Sequence, residues 1–105
     1  MLIKFMSKTL ERLDGEGDFS GDYEPQVVSA FRLRIQLLRA APSERTLVPL
    51  KALRMQRIPG NEDHHYVMRV NDEFCLSVEF DGGEKERLAI VDAMTPYREQ
   101  QEAPQ

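Results

Sequence analysis

The chain has 105 residues, with 18 acidic and 14 basic side chains and a formal net charge of −4. This length allows one domain with its own core, and the single cysteine, Cys75, excludes an internal disulfide. No segment is apolar enough for a signal peptide or a membrane span. Composition therefore predicts a cytoplasmic protein with no membrane partner.

The first elements are predicted to be a strand and a short helix. Leu2–Phe5 has the pattern of a short strand, and Ser7 can cap a helix of one or two turns. In that helix Leu10 and Leu13 would face the core. Glycines at 15, 17 and 21 then end it.

A longer helix is predicted over Glu24–Ala41. Asp22 or Glu24 can cap its start, Pro25 suits its first turn, and Pro42 marks its end. Its apolar residues recur at spacings of four, four and three, which places them on one stripe that can cover a sheet. These residues are Val27, Phe31, Ile35 and Leu38.

The second half of the chain has β-patterns. A strand is predicted over Leu53–Ile58, followed by three more over His64–Val70, Phe74–Phe80 and Arg87–Val91. Short polar links at 71–72 and 81–84 favour antiparallel hairpins between the last three. Four alternating residues are assigned to the core: Phe74, Leu76, Val78 and Phe80.

Together these elements predict an α+β fold, with two N-terminal helices packed on a twisted, mainly antiparallel sheet of four to five strands. The domain is predicted to span residues 1–94. Residues 95–105, rich in Gln, Glu and Pro, are predicted to form a disordered tail.

The charges are unevenly distributed. The segment from Arg32 to Arg57 has seven basic residues against one acid, Glu44, whereas both flanks are acidic. Such a basic band could meet phosphates or an acidic partner. The alternative is a solvated helix face and loop. The seven residues are Arg32, Arg34, Arg39, Arg45, Lys51, Arg54 and Arg57.

Several phrases, in order, resemble one family. They are Leu2–Phe5, Gly17–Ser20, Arg32–Ala41, Tyr66–Phe74 and Ile90–Asp92. The fourth, YVMRVNDEF, is similar to the family stretch (W/H)SIRVNDQWRI. The set resembles HigB-type toxins, the plasmid maintenance system killer branch of the RelE/ParE superfamily, over nearly the whole chain.

This resemblance implies a RelE/ParE-like fold and a toxin–antitoxin function. The family activity is ribosome-dependent cleavage of mRNA, and the implied partners are the ribosome, mRNA and a HigA-like helix-turn-helix antitoxin. Cleavage of this kind needs cations that steady the phosphate and acid–base groups around the attacking and leaving oxygens.

The sequence departs from the family at its catalytic positions. Pro59 and Glu62 replace a Lys and an Arg of the family turn, and Phe74-Cys75 replaces a Trp-Arg pair. The terminal Asp-Tyr-His is Asp92-Ala93-Met94. Of the matched positions only Asp92 is kept, which makes it the first catalytic candidate.

Other residues could replace the missing groups. His64 or His65 could transfer protons, although neighbouring strand residues point to opposite faces, so at most one can face a given groove. The alternative is that both form local hydrogen bonds. No third ligand accompanies this pair, so neither a metal site nor a cofactor is predicted. The phosphate-binding candidates are Lys51, Arg54, Arg57 and Arg69.

Two functions stay open from the sequence. One is a ribosome-associated endoribonuclease toxin, silenced by its antitoxin. The other is a noncatalytic module that keeps the toxin fold for protein binding, which the acidic net charge favours. A gyrase-poisoning relative of the same superfamily would not need nuclease residues, but the N-terminal segment resembles HigB more closely.

Overall fold

The computed structural model describes residues 1–60 and 64–97, which form a five-stranded sheet with two helices. Two short 3₁₀ turns, Glu44–Thr46 and Lys51–Leu53, connect the second helix to the sheet. The helices are α1 (Lys8–Gly15) and α2 (Pro25–Ala40). The strands are β1 (Leu2–Phe5), β2 (Gln56–Arg57), β3 (His65–Arg69), β4 (Phe74–Asp81) and β5 (Leu88–Pro96).

The strand order is β1-β5-β4-β3-β2. The pairs β2–β3, β3–β4 and β4–β5 are antiparallel, and β1 pairs parallel with β5. The predicted α+β class with a mainly antiparallel sheet is thereby confirmed. The parallel pair brings the first strand of the chain beside the last, which matters for the site described below.

Both helices begin close to the predicted residues, but the side-chain cap predicted for α2 is wrong. The Ser7 hydroxyl accepts a hydrogen bond from the Leu10 amide at 3.2 Å and so caps α1. Helix α2 has Pro25 in its first turn, but its capping residue, Glu24, makes no side-chain cap. Asp22 lies two residues before this cap position and has a left-handed backbone with φ of 69°.

Three arginines of α2 stabilise the fold. Arg39 forms two hydrogen bonds with the Asp14 carboxylate, at 2.9 and 2.5 Å, and so links α2 to α1. Arg32 donates to the Leu13 carbonyl at 2.9 Å, and Arg34 donates to the Arg69 carbonyl at 2.8 Å. The basic band is therefore not one continuous binding surface, because these three guanidinium groups form hydrogen bonds within the molecule.

The core lies between the helices and one face of the sheet. The α2 stripe is fully buried there, together with Leu10 and Leu13 of α1. Of the four β4 residues assigned to the core, Leu76, Val78 and Phe80 are buried. Phe74 is half-buried, and its ring packs edge-on against Tyr23 with centroids 5.5 Å apart.

Two sequence predictions need correction. The strand predicted over Leu53–Ile58 is reduced to Gln56–Arg57, because Leu53 ends a 3₁₀ turn and Arg54 follows in a left-handed conformation with φ of 44°. Strand β5 continues through Pro96, past the predicted domain boundary, since it keeps pairing with β4 as far as Phe74. Residues 61–63, within the family turn, and 98–105, within the predicted tail, lie outside the described residues.

Candidate functional site

The sheet face opposite the helices carries a row of polar side chains. The register pairs Lys4 with Ile90, Ile90 with Glu79, and Glu79 with His65, so these residues lie side by side on four neighbouring strands. Within the described residues neither helix packs on this face, which we call the open face. Strands lie about 4.8 Å apart, so the row spans about 14 Å between Lys4 and His65.

A β-bulge places Asp92 next to this row. Ser77 pairs with Ala93 and Val78 pairs with Val91, which leaves Asp92 as the extra residue of β5. Bulges change the direction of a strand and re-aim a side chain, and they are common beside active sites. Because of this extra residue, Val91 and Met94, three positions apart, are both buried in the core, and Asp92 is exposed between them.

Asp92 and His65 line the same cavity. Its volume is about 290 Å³, and we call it the cleft. The His65 Nε2 atom lies 3.0 Å from the Ser77 hydroxyl, which orients the imidazole ring. Lys4 supplies a cation to the same space. The residues that line the cleft are Lys4, Met6, His65, Glu79, Ile90 and Asp92.

The His64 side chain points to the opposite face from His65, as the alternation of strand side chains requires. Its Nδ1 atom is 3.2 Å from the Glu44 carboxylate and 3.3 Å from Arg87 Nη2. Two of the three catalytic candidates, His65 and Asp92, therefore meet in the cleft, and the third does not. In the described part of the chain, no three His, Cys, Asp or Glu side chains are grouped to hold a metal ion.

A second cavity lies on the His64 side. Its volume is about 470 Å³, and we call it the side groove. Arg57, one of the phosphate-binding candidates, contributes to its lining. The full set that lines it is Glu44, Arg45, Val48, Pro49, Arg57, His64 and Tyr66.

The other phosphate-binding candidates lie outside both cavities. Lys51 and Arg54 are exposed at the second 3₁₀ turn. Arg69 is on the open face at the far end of β3, where its guanidinium stacks 3.6 Å from the centre of the Tyr97 ring. Its Nε atom donates to the Asn71 carbonyl at 2.9 Å. The four predicted cations therefore do not form one cluster.

A partly buried ion pair fixes one wall of the side groove. Arg87 Nε and Nη2 donate to the two Glu44 carboxylate oxygens at 2.9 and 2.6 Å. This hydrogen bonding lowers the pKa of Glu44 below its usual range and raises the pKa of Arg87. Arg87 also donates to the Gly82 carbonyl, so the pair links the first 3₁₀ turn to the β4–β5 hairpin.

We expect Glu44→Gln to destabilise the fold by about 1.5–3 kcal/mol at pH 7, because it removes a charged hydrogen-bond partner of a buried guanidinium. The folded pKa of Glu44 is depressed, so its contribution is complete above about pH 4.3 and is lost as the pH falls through the folded value. Thermal unfolding of both proteins between neutral and acidic pH measures this. A difference that stays constant down to acid pH would contradict it.

No sequence pattern indicated that Lys4, Glu79 and Ser77 belong to a site. Lys4 was part of a short edge strand, and the other two lay on the solvent side of a strand. The missing information was the register and the parallel pairing of β1 with β5, which are tertiary properties. The alternation of β4 predicted that Ser77 and Glu79 share one face of the sheet. It did not show that this face carries the site.

Comparison with solved structures identifies the class of fold. A YoeB/ParE toxin from Agrobacterium tumefaciens superposes with a TM-score of 0.63 over 93% of this chain and 100% of that chain, at 10% sequence identity. At this identity the likeness concerns the fold alone.

The sequence gives the family. Residues 3–93 match the model for the RelE-like toxin of the type II toxin–antitoxin system HigB, and the chain therefore belongs to the HigB-like toxins. A type II toxin implies an antitoxin partner. Comparison with curated proteins gives no significant match. In the described residues, no helix has the length and hydropathy needed to cross a bilayer.

Proposed function

We propose that this HigB-like toxin cleaves mRNA on the ribosome and that the cleft on the open face is its active site. The observation that carries the proposal is that His65, Asp92 and Lys4 line one cavity. The three residues come from three strands, β3, β5 and β1, which are well separated along the sequence. They supply the residue types that phosphodiester cleavage needs, namely two proton-transfer groups and a cation.

The proposed reaction uses the 2′-hydroxyl of the RNA as nucleophile. Asp92 accepts the proton of that hydroxyl as its oxygen attacks the neighbouring phosphorus. The bond to the 5′-oxygen breaks, and His65 in its protonated form donates a proton to that leaving oxygen. The products are a 2′,3′-cyclic phosphate and a free 5′-hydroxyl. Lys4 stabilises the charge that develops on the non-bridging oxygens.

The cationic residues outside the cleft serve RNA binding in this proposal. Lys51 and Arg54 are exposed to solvent, and Arg57 lines the side groove. Arg69 extends the open face beyond the cleft. Contacts of such side chains with phosphates would hold the toxin on ribosomal RNA and mRNA. A HigA-like helix-turn-helix protein would be the antitoxin that silences it.

Induced expression in bacterial cells tests the proposal, with growth and the integrity of translated mRNA as readouts. We expect the wild-type chain to arrest growth and cleave mRNA, and Asp92→Asn to lower cleavage about 100-fold because the amide cannot accept the proton. Leu33→Ser, a substitution of an exposed helix residue, is the control and should keep full activity. Cleavage by Asp92→Asn at the wild-type rate would remove Asp92 from the mechanism.

A noncatalytic binding module is the second candidate. It is favoured by the charges of the cleft, where Glu79 and Asp92 face a single lysine among the described lining residues. A net negative site repels a phosphodiester. Normal growth and intact mRNA on expression, together with tight binding to the antitoxin, would favour this candidate over the nuclease.

A further inference from the structure

We propose that the free edge of β1 is a docking site for an extended segment of a partner protein. The segment would pair with β1 as a further strand, and it would carry an acidic residue between two apolar residues at alternate positions. Strand β1 ends the sheet order, and among the described residues its strand partner is β5. The docking site stands apart from the proposed function, and only its effect on cleavage rests on that function.

The backbone of β1 has unpaired groups at this edge. The amides of Leu2 and Met6 donate to carbonyl groups on the β5 side, at 3.1 and 2.9 Å. Successive residues of a strand direct their backbone groups to alternate sides, so those of Ile3 and Phe5 point away from the sheet. The described part of the chain gives these groups no hydrogen-bond partner. Such an edge is a template for another strand.

Two apolar side chains are exposed along the same edge. Leu2 and Met6 are 68% and 61% exposed, the largest fractions among the exposed large hydrophobic residues of the described chain. Both lie on the open face with Lys4, because alternate residues of a strand share a face. Leu88, half-buried on β5, is paired with Leu2 and extends this apolar surface. Exposed apolar surface on an edge strand favours a protein partner over RNA.

Lys4 argues against a second copy of this chain as the partner. In an antiparallel pair of two copies, only one register uses the outward groups of both Ile3 and Phe5 in each copy. That register places the two Lys4 side chains directly opposite each other. Like charges in this position destabilise a strand pair, whereas opposite charges stabilise it.

The charge of Lys4 is available to such a partner. In the described residues Lys4 forms no ion pair. Glu79 and Asp92 line the same cleft, but they belong to β4 and β5 and so lie on the other side of Lys4 from the free edge. A glutamate or aspartate opposite Lys4, with apolar residues two positions away on either side, therefore fits this edge.

Occupation of the edge would also affect the cleft, since Lys4 and Met6 line it. The carboxylate of the bound segment would pair with the ammonium group that the proposed function assigns to the phosphate. It would also add a negative charge that repels a phosphodiester. We therefore expect mRNA cleavage to fall as the edge is filled.

The test uses a synthetic peptide, Thr-Val-Thr-Glu-Thr-Val-Thr, acetylated and amidated to remove its terminal charges. It is titrated into the full chain, and amide hydrogen exchange is followed by NMR. We expect the amides of Ile3 and Phe5 to become protected, while those of Leu2 and Met6, already bonded on the β5 side, change little. The same peptide with Lys in place of Glu should bind about fivefold more weakly.

Three variants locate the contact. Lys4→Glu should reverse the preference, so that the Lys peptide binds more tightly than the Glu peptide. Leu2→Ser should weaken binding of the Glu peptide about fivefold, because it removes apolar surface that the peptide covers. Leu33→Ser is the matched control, since Leu33 is 57% exposed on α2, and it should bind the peptide like the wild type.

The outcomes separate the docking site from the proposed nuclease. Equal affinity for the two peptides, or no protection of Ile3 and Phe5, would overturn the docking site. Self-association of the free protein that protects the same amides would assign the edge to a second copy, and protection by an RNA oligonucleotide instead of the peptide would assign it to nucleic acid. Either result would overturn the proposal. Selective binding of the Glu peptide by a wild type that does not cleave mRNA would support the docking site and contradict the nuclease.

Discussion

Replacing His65 with alanine should lower the rate of mRNA cleavage by about 10²–10⁴-fold, the usual contribution of a positioned acid–base group. His65 is the imidazole of the cleft, and its hydrogen bond to Ser77 orients the ring within that cavity. No other lining residue in the described part of the chain is a histidine. A ribosome-dependent cleavage assay with purified protein and a defined mRNA measures the loss.

His64→Ala is the matched control for this experiment. The two residues are neighbours in sequence, but His64 faces Glu44 and Arg87 rather than the cleft. We expect the control to keep the cleavage step when RNA is saturating, while thermal unfolding shows that both variants are folded. Equal losses in the two variants would contradict the assignment, and a loss only in His64→Ala would move the active site to the side groove.

Phe80→Ala should destabilise the protein by about 3–5 kcal/mol, because it leaves a cavity of aromatic size in the core. Phe80 has 2% of its surface exposed and contacts the Tyr66 ring. For a domain of this size, each kcal/mol lowers Tm by about 4–8 °C. Chemical denaturation with urea would measure the free energy of unfolding, and the dependence on urea concentration should not change.

Phe74→Ala is the comparison for this core substitution. Phe74 is on the same strand but is only half-buried, and its edge contact with Tyr23 is near the surface. It should cost clearly less than Phe80→Ala. If the two losses were equal, the depth of the core along β4 would differ from the structure described above.

The fold was largely predictable because its local signals agree with one another. The α2 stripe and the alternation of β4 follow from the period of a regular element, and the Ser7 cap follows from the ability of its hydroxyl to accept from a first-turn amide. The predictions were less accurate where a local pattern had no period, as around Arg54, whose left-handed backbone is not apparent from its residue type. The end of β5 was missed because pairing with β4, rather than composition, decides it.

The site was only partly predictable, since it depends on register. Asp92 was identified from the family pattern, and the alternation rule showed that His64 and His65 could not share a groove. Lys4 could not be placed there, because only the parallel pairing of β1 with β5 brings it near Asp92. The sequence also grouped seven basic residues that the structure separates into fold-stabilising and exposed sets.

The pairing of the first strand with the last has a consequence for the timing of activity during synthesis. Lys4 leaves the ribosome early, whereas Asp92 is added more than eighty residues later, and β1 has no strand partner until β5 is complete. Contacts between such distant parts of a chain form late in folding. Under the proposed function, the cleft is therefore complete only after β5 has been synthesised, and the nascent chain lacks the full site until then.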